Sequence, residues 1–305
     1  MRRVRYEASG GPEVLFVEEA PAPEPAPGEI LVRAEAIGVT LPAVRKVRER
    51  VGPLAGEVAG TVVAVGEGVT VFGVGDRVTG LCFSHAYAEL AVLREEMASP
   101  VPEGASAVDA VALVRSGAVA RGAVEAGRVG KGDAVLVTAA ASAVGSLALQ
   151  LARNKGALRV VAAVSCADKA EFVRAVGADE VVLYGDESWG EPVDVVLDGV
   201  GGDVLGPAVR ALAPEGRLVA FGSGGGVVDA YELLVRSASV TGFQMAAVAR
   251  RRPETYARWI GELWQQYDAG TLRPRVFAEF PLAEAGRAHG AIEARANLGK
   301  VVLVP

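Results

Sequence analysis

The sequence predicts an α/β fold: a doubly wound parallel sheet inserted into an antiparallel, barrel-like domain. Three observations predict it. Up to residue 115 the chain is a series of short Val-rich runs punctuated by Gly and Pro; from 116 apolar strands alternate with amphipathic helices; the tail loses that rhythm. The 305 residues are 51% apolar and 22% charged, enough core for one large or two ordinary domains at about 100–200 residues each.

ILVRAEAIGV (30–39), VAGTVVAVGEGV (58–69), DRVTGL (76–81) and YAELAVL (87–93) alternate with period two between turn residues, the pattern of antiparallel strands. PAPEPAPGE (21–29) is a stiff polar connector. DAVLVTA (133–139) then reads as a buried strand, GSLALQLARNKG (145–156) as a helix closed by Gly156, and RVVAAV (159–164) as a second strand. DKAEFVRAVG (168–177) reads as a helix capped by Asp168, with Glu171 three residues on and Gly177 at its end. EVVLY, DVVLDGV, GRLVAFG and VTGFQ add strands, and GDVLGPAVRAL (202–212) a helix. Wholly apolar strands between amphipathic helices mean a parallel sheet covered on both faces. RPETYARWIGELWQQYDAG (252–270) is helical, followed by a strand (272–280), a helix (282–294) and the strand GKVVLVP. The expected domains are therefore 1–115, 116–248 and a return of 249–305 to the first domain.

Composition excludes several functions. The apolar content excludes a disordered chain, and charges interrupt every apolar run before the roughly 18 residues of a membrane span. A formal charge of −6 argues against nucleic-acid binding, which needs a basic footprint. Cys82, Cys166, His85 and His289 are too few for a disulfide framework or a four-cysteine metal site. MRRVRYEASGGPE runs into a polar turn rather than the apolar stretch of a signal peptide, so a cytoplasmic protein is expected.

The segment AAASAVGS (139–146), between a strand and a helix, has the layout of a dinucleotide-binding turn. Such a turn needs close backbone approach to a pyrophosphate and a helix N-terminus facing its charge. In the G-x-G-x-x-G frame the chain has Ala140, Ser142 and Gly145. Small residues still permit close approach, and the Ser142 hydroxyl is a candidate donor to phosphate. An NAD enzyme places Asp or Glu at the end of the second strand for the ribose 2′-hydroxyl. Here that strand ends Ala163-Val164-Ser165, with Lys169 four residues later. A hydroxyl and an ammonium favour a 2′-phosphate, and NADPH is the expected cofactor.

APGEILVRAEAIGV (26–39), GEVAGTVVAVGEGVTVFGVGDRVTG (56–80), AYAEL (86–90), GDAVLVTAAASAVGSLALQLA (132–152), KAEFVRAVGADEVVLY (169–184) and GKVVLVP (299–305) follow one another across nearly the whole chain. In that order they resemble the medium-chain dehydrogenase/reductase superfamily, in its zinc-independent quinone oxidoreductase and enoyl reductase branch. The resemblance implies a Rossmann cofactor domain, a GroES-like catalytic domain, and a homodimer joined through the strand at 240–244. It also implies that the zinc-ligand positions of metal-dependent relatives fall on Val39-Thr40 and Gly56, and their Cys-rich lobe on 95–105, none of which carries ligands here. Ala140, Ser142, Ala143 and Val144 would form the pyrophosphate turn. Ser165 and Lys169 would meet the 2′-phosphate, and Tyr184 the adenosine phosphate or ring. Gly222 and Ser223 would approach the nicotinamide, and Asn297 and Lys300 belong to a segment that often touches the cofactor.

The departures bear on chemistry. The family's G-V-N is Gly38-Val39-Thr40, its following Asp is Ala43, the usual nearby Tyr is missing, and the nicotinamide-side Thr is Val119. Thr40, Arg45, Val119 and Phe243 are the expected substrate-pocket residues. Arg45, Lys46 and Arg48 form a basic run that would attract an acidic substrate or, equally, serve as a solvated helix face. Tyr87 and His85 are weak acid–base candidates, Tyr87 being more simply a structural tyrosine, and Glu57 is expected to be structural. Trp189, Trp259 and Trp264 would line an aromatic pocket or pack a helix, and GSGGG (222–226) would be a mobile loop. The expected function is NADPH-dependent hydride transfer to a quinone or an activated C=C, which includes a biosynthetic enoyl reductase on an aromatic or polyketide-like intermediate. The alternatives are an NADPH-binding protein without redox chemistry, acting as sensor or scaffold, and a cyclase on the same fold.

Overall fold

The computed structural model describes residues 1–305 and divides into a unit of Met1–Arg115 with Arg275–Pro305 and a unit of Ser116–Pro274. The return to the first unit thus begins at Arg275, not at 249. The reason is tertiary. Helix Pro253–Asp268 buries Trp259, Ile260, Leu263 and Trp264; Trp259 Nε1 donates to Glu125 at 3.1 Å and Arg121 Nε donates to Glu262 at 2.7 Å. Both partners stand on helix Ala107–Ala126, within which the first boundary falls.

In the first unit, strands Val276–Pro281, Lys300–Val304, Glu29–Val39, Gly56–Val65, Arg77–Cys82 and Ala98–Pro100 pair in that order, and Leu90–Arg94 also pairs with Glu29–Val39. Only the first two strands of this order are parallel to each other. Ile30, Val32, Ile37, Val58, Val78, Leu93, Val301 and Leu303 make the core, consistent with inward-facing residues alternating along twisted strands. Register places Val301 opposite Val39 and Gly38 opposite Glu57, which sets the site described below.

In the second unit, strands Glu180–Leu183, Arg159–Val164, Ala134–Val137, Val193–Asp198, Leu212–Ala220 and Ser239–Gly242 form one parallel sheet in that order. In chain order this is 3-2-1-4-5-6, with the switch between Ala134–Val137 and Val193–Asp198, the crevice at which such sheets bind dinucleotides. Several local expectations shift. The helix read over 168–177 is a 3-10 turn, Ala167–Lys169, followed by Ala170–Ala175, and neither start has a side-chain cap, so Asp168 does not cap it. The 202–212 segment is a 3-10 turn and a short helix, Leu205–Arg210, with Leu212 already in the next strand. No helix is long and apolar enough to cross a membrane.

Candidate active site

Helix Ala143–Asn154 begins one residue after Ser142, whose Oγ accepts from the Gly145 amide at 3.0 Å. Serine is favoured there because its oxygen satisfies one of the amides that a first helical turn leaves without a partner. Ala143 and Val144 occupy the first two helical positions, where backbone N–H groups have no intrahelical acceptor. The hydroxyl proton of Ser142 is not used in its capping bond, so it can serve an anion in front of those amides. Gly145 is dictated by space: a Cβ there would fall 2.2 Å from the Ala139 carbonyl oxygen.

Ala139 sits in the left-handed region at φ 49° and is braced from below, its amide donating to Tyr184 Oη at 2.8 Å. Tyr184 also lies against Trp189, ring centroids 6.3 Å apart. Its observed role is thus to brace the turn, while Trp189 is buried in the core rather than lining a pocket. Ala140 is fully buried and its amide donates to Ala163, so it supports the turn without offering an N–H to phosphate.

Strand Arg159–Val164 ends at Ser165, which is exposed; Lys169 lies within the next turn, and no carboxylate occupies the strand end. These features fit a dinucleotide carrying a 2′-phosphate: a tight strand-to-helix corner packed at Gly145, helix-terminal amides, and a hydroxyl with a cation where an NAD site holds an acid.

Sequence reasoning missed Asp198 and Thr138 on the facing side of the switch. Asp198 is 1% exposed; it accepts from Thr138 Oγ1 at 2.6 Å and from the Val200 and Gly201 amides at 3.1 and 2.9 Å. Thr138 Oγ1 in turn accepts from Gly199 N at 2.9 Å. The carboxylate therefore fixes the turn after its own strand and ties it to the neighbouring one. The signal was available as Asp-Gly-Val-Gly-Gly directly after an apolar strand. Gly222 packs on this turn, where a Cβ would meet Gly199 at 2.4 Å, and its amide donates to the Asp198 carbonyl. The 222–226 segment is not a free loop: Gly224 N donates to Val200 O at 3.0 Å and Gly202 N to Gly225 O at 2.9 Å. Ser223 is exposed on it. Val119 is half-buried on its helix. Phe243 packs flush on Gly122, where a Cβ would meet its ring at 2.1 Å, and near Trp259; it is a packing residue, not an open pocket wall.

In the barrel unit the residues converge on a buried charge cluster. Lys300 Nζ donates to Glu57 Oε2 at 2.5 Å and Arg115 Nη1 to Glu57 Oε1 at 3.1 Å. Burial pushes the Lys300 pKa down, opposed by the Glu57 charge. Lys300, expected at the cofactor, is thus 3% exposed and committed to this carboxylate, because register brings its strand beside Glu29–Val39. Asn297 is likewise turned inward, Nδ2 donating to Gly299 O at 2.9 Å.

Tyr87 is fully buried with its hydroxyl 3.1 Å from His289 Nε2, the rings edge to face. Burial drives the His289 pKa down to about 4 and, with Glu57 adding to it, raises that of Tyr87 well above its ordinary value. Both are neutral near pH 7 and sealed from water, so Tyr87 is a structural tyrosine and not an accessible acid. His85 is exposed on another part of the unit at φ 53°, its pKa lowered by burial and by Arg3.

Thr40 Oγ1 caps helix Leu41–Glu49, accepting from Ala43 N at 3.3 Å. The basic run lies on that helix: Arg45 is half-buried, Lys46 Nζ donates to Pro53 O at 3.3 Å, and Arg48 makes a bidentate pair with Glu293 at 2.6 and 2.8 Å. The residues at the zinc-ligand positions do not fit a zinc ion, since Thr40 is engaged as a cap and Gly56 has no side chain, and no three His, Cys, Asp or Glu side chains converge anywhere. Cys82 is buried, with its pKa raised to about 11 by that burial.

Comparison with known proteins agrees with this geometry. Residues 26–105 match the alcohol dehydrogenase GroES-like domain and 176–303 the family described as zinc-binding dehydrogenase. The chain is 34% identical to a quinone oxidoreductase of Pseudomonas aeruginosa over 100% of this chain and 99% of the relative. It is 32% identical to a 2-haloacrylate reductase of a Burkholderia species, over 97% and 96%. Among solved structures, the Escherichia coli quinone oxidoreductase complexed with NADPH superposes with a TM-score of 0.92 at 29% identity, covering 100% of both chains.

Proposed function

The chain belongs to the zinc-independent quinone oxidoreductase branch of the medium-chain dehydrogenase/reductase superfamily, and we propose that it is an NADPH-dependent reductase of quinones or activated C=C bonds. The observation that carries the choice of NADPH is the end of strand Arg159–Val164, where Ser165 and Lys169 replace the acid of an NAD site. Similarity to NADPH-complexed quinone oxidoreductases supports it.

The chemistry the dinucleotide supplies when bound is a hydride. The protein's part is binding and orientation. Ala143 and Val144 amides and the Ser142 hydroxyl would hold the pyrophosphate, Gly145 lets the helix start pack against the Ala139 turn, Tyr184 keeps that turn rigid, and Ser165 and Lys169 would read the 2′-phosphate. Asp198, through Thr138 and the two stitched glycine loops, holds the backbone that would flank the nicotinamide at Gly222 and Ser223. A conjugated acceptor suits this inventory: charge developing on an enolate or hydroquinone oxygen can be stabilised by hydrogen bonds alone. The 2-haloacrylate reductase among the relatives supports a C=C acceptor beside a quinone.

The outer edge of the parallel sheet, Ser239–Gly242, pairs on one side only, with Leu212–Ala220, and Tyr231, Leu234 and Val235 beside it are exposed. We assign this edge to a homodimer contact, which sedimentation would read as a doubled mass. Free thiols at Cys82 and Cys166 suit a reducing compartment such as the cytoplasm. The function is tested by NADPH oxidation against quinones, enones and 2-haloacrylates. Acceptor-dependent oxidation supports it; tight NADPH binding with no oxidation by any acceptor favours a non-redox role instead.

A further inference from the structure

We infer that the barrel unit carries an anion-accepting groove for a small organic phosphate or carboxylate with an apolar body. The groove, of about 720 Å³, is lined by Arg3, Arg5, Arg50, His85, Tyr6 and Leu54 among others. That volume lies within the roughly 300–1,000 Å³ of small-ligand pockets.

Three arginines, Arg3, Arg5 and Arg50, line it in a chain whose net charge is −6. Arg3 and Arg5 lie two apart on strand Arg2–Arg5, so they project to one face. They share Glu18, at 2.6 and 3.3 Å, and Arg5 also reaches Glu7 at 3.2 Å. Two carboxylates thus face three cations, and the surplus is Arg50, which makes no ion pair. Arg50 is held in place: it closes helix Leu41–Glu49 in the left-handed conformation, φ 53° and ψ 49°, its amide bound to Lys46 and Val47 carbonyls. Tyr6 fixes the same turn, its hydroxyl on the Gly52 carbonyl with the Lys46 carbonyl at 3.2 Å. A planar guanidinium with its fork unused is matched to a phosphate or carboxylate. Buried Leu54 also lines the groove and supplies an apolar contact, which is why the ligand carries more than a bare anion.

The chain's two histidines provide the test, because His85 lines the groove and His289 is sealed against Tyr87. The intact protein is titrated with phenyl phosphate, benzoate and neutral benzyl alcohol while both imidazoles are followed by NMR. The expected result is a saturable shift of His85 with at least one anion, none with benzyl alcohol, and His289 unmoved. A response to phenyl phosphate alone identifies a phosphate site, and to benzoate alone a carboxylate site. Arg50→Gly suits the left-handed cap and removes the side chain with its guanidinium while leaving the turn; it should weaken binding about tenfold or more, the worth of a charge-assisted hydrogen bond. Arg50→Lys, which keeps the charge but not the fork, should weaken it less. A His85 signal that neither anion moves, that benzyl alcohol moves equally, or that responds unchanged in Arg50→Gly overturns the proposal.

Discussion

Lys300 Nζ lies 2.5 Å from Glu57 Oε2 although the two residues are 243 positions apart, and their side chains are 3% and 2% exposed. The glycine of Gly38-Val39-Thr40 makes room for this pair, since a Cβ at Gly38 would fall 1.9 Å from Glu57 Oε2 and 2.8 Å from Lys300 Nζ. Removing Lys300 leaves buried Glu57 with only the partly exposed Arg115 to face it, and removing Glu57 strands the buried Lys300. Lys300→Met should therefore destabilise the barrel unit by about 3 kcal/mol, while Glu57→Leu combined with Lys300→Met should cost distinctly less than the two single changes summed. Chemical denaturation of the three variants checks this, and strict additivity would contradict it.

On the proposed reading, the coenzyme preference should respond to a change at exposed Ser165. Ser165→Asp puts a carboxylate where the 2′-phosphate is expected and where an NAD site holds its acid. The ratio of kcat/KM for NADPH over NADH should fall by about tenfold or more, with circular dichroism unchanged.

Ser142 and Gly145 separate capping from crowding. Ser142→Ala removes the oxygen that accepts from Gly145 N and should cost about 1 kcal/mol, together with a rise in KM for NADPH. Gly145→Ala forces a methyl against the Ala139 carbonyl and should cost more stability than Ser142→Ala. Thermal midpoints order the two.

Much of this was legible locally. The wholly apolar strands identified the parallel sheet, and Ser142 and Gly145 were readable because cap and close approach involve neighbours in sequence. Helix Ala107–Ala126 carries no local signature, because apolar residues cover nearly its whole circumference and leave little 3.6-residue pattern. The sequence marks helix Pro253–Asp268 but not the unit it joins, since its partners Arg121 and Glu125 stand more than a hundred residues away. The same distance hid the commitments of Lys300 to Glu57 and of Tyr87 to His289, which only strand register and helix packing create.

His289 makes stability depend on pH. It is neutral in the folded chain, with a pKa of about 4, against about 6.5 once unfolded. As the pH falls the unfolded chain takes up this proton first, so the stabilisation is complete above about 6.5 and is lost progressively toward about 4, up to about 3 kcal/mol. His289→Gln, which still offers Tyr87 a hydrogen-bond partner, should flatten denaturation midpoints across that window. An equal slope in wild type and variant would assign the acid lability elsewhere.

NADPH bound at the Ser142–Gly145 turn should reduce a quinone or an activated alkene. The most direct measurement is a single turnover: excess protein loaded with NADPH is mixed with a quinone, an enone or a 2-haloacrylate, and nicotinamide absorbance is followed against acceptor reduced. One NADPH should be consumed per acceptor, with NADH much slower. NADPH left intact by every acceptor, or NADH serving equally well, would mean that the protein is not an NADPH-dependent reductase of these acceptors.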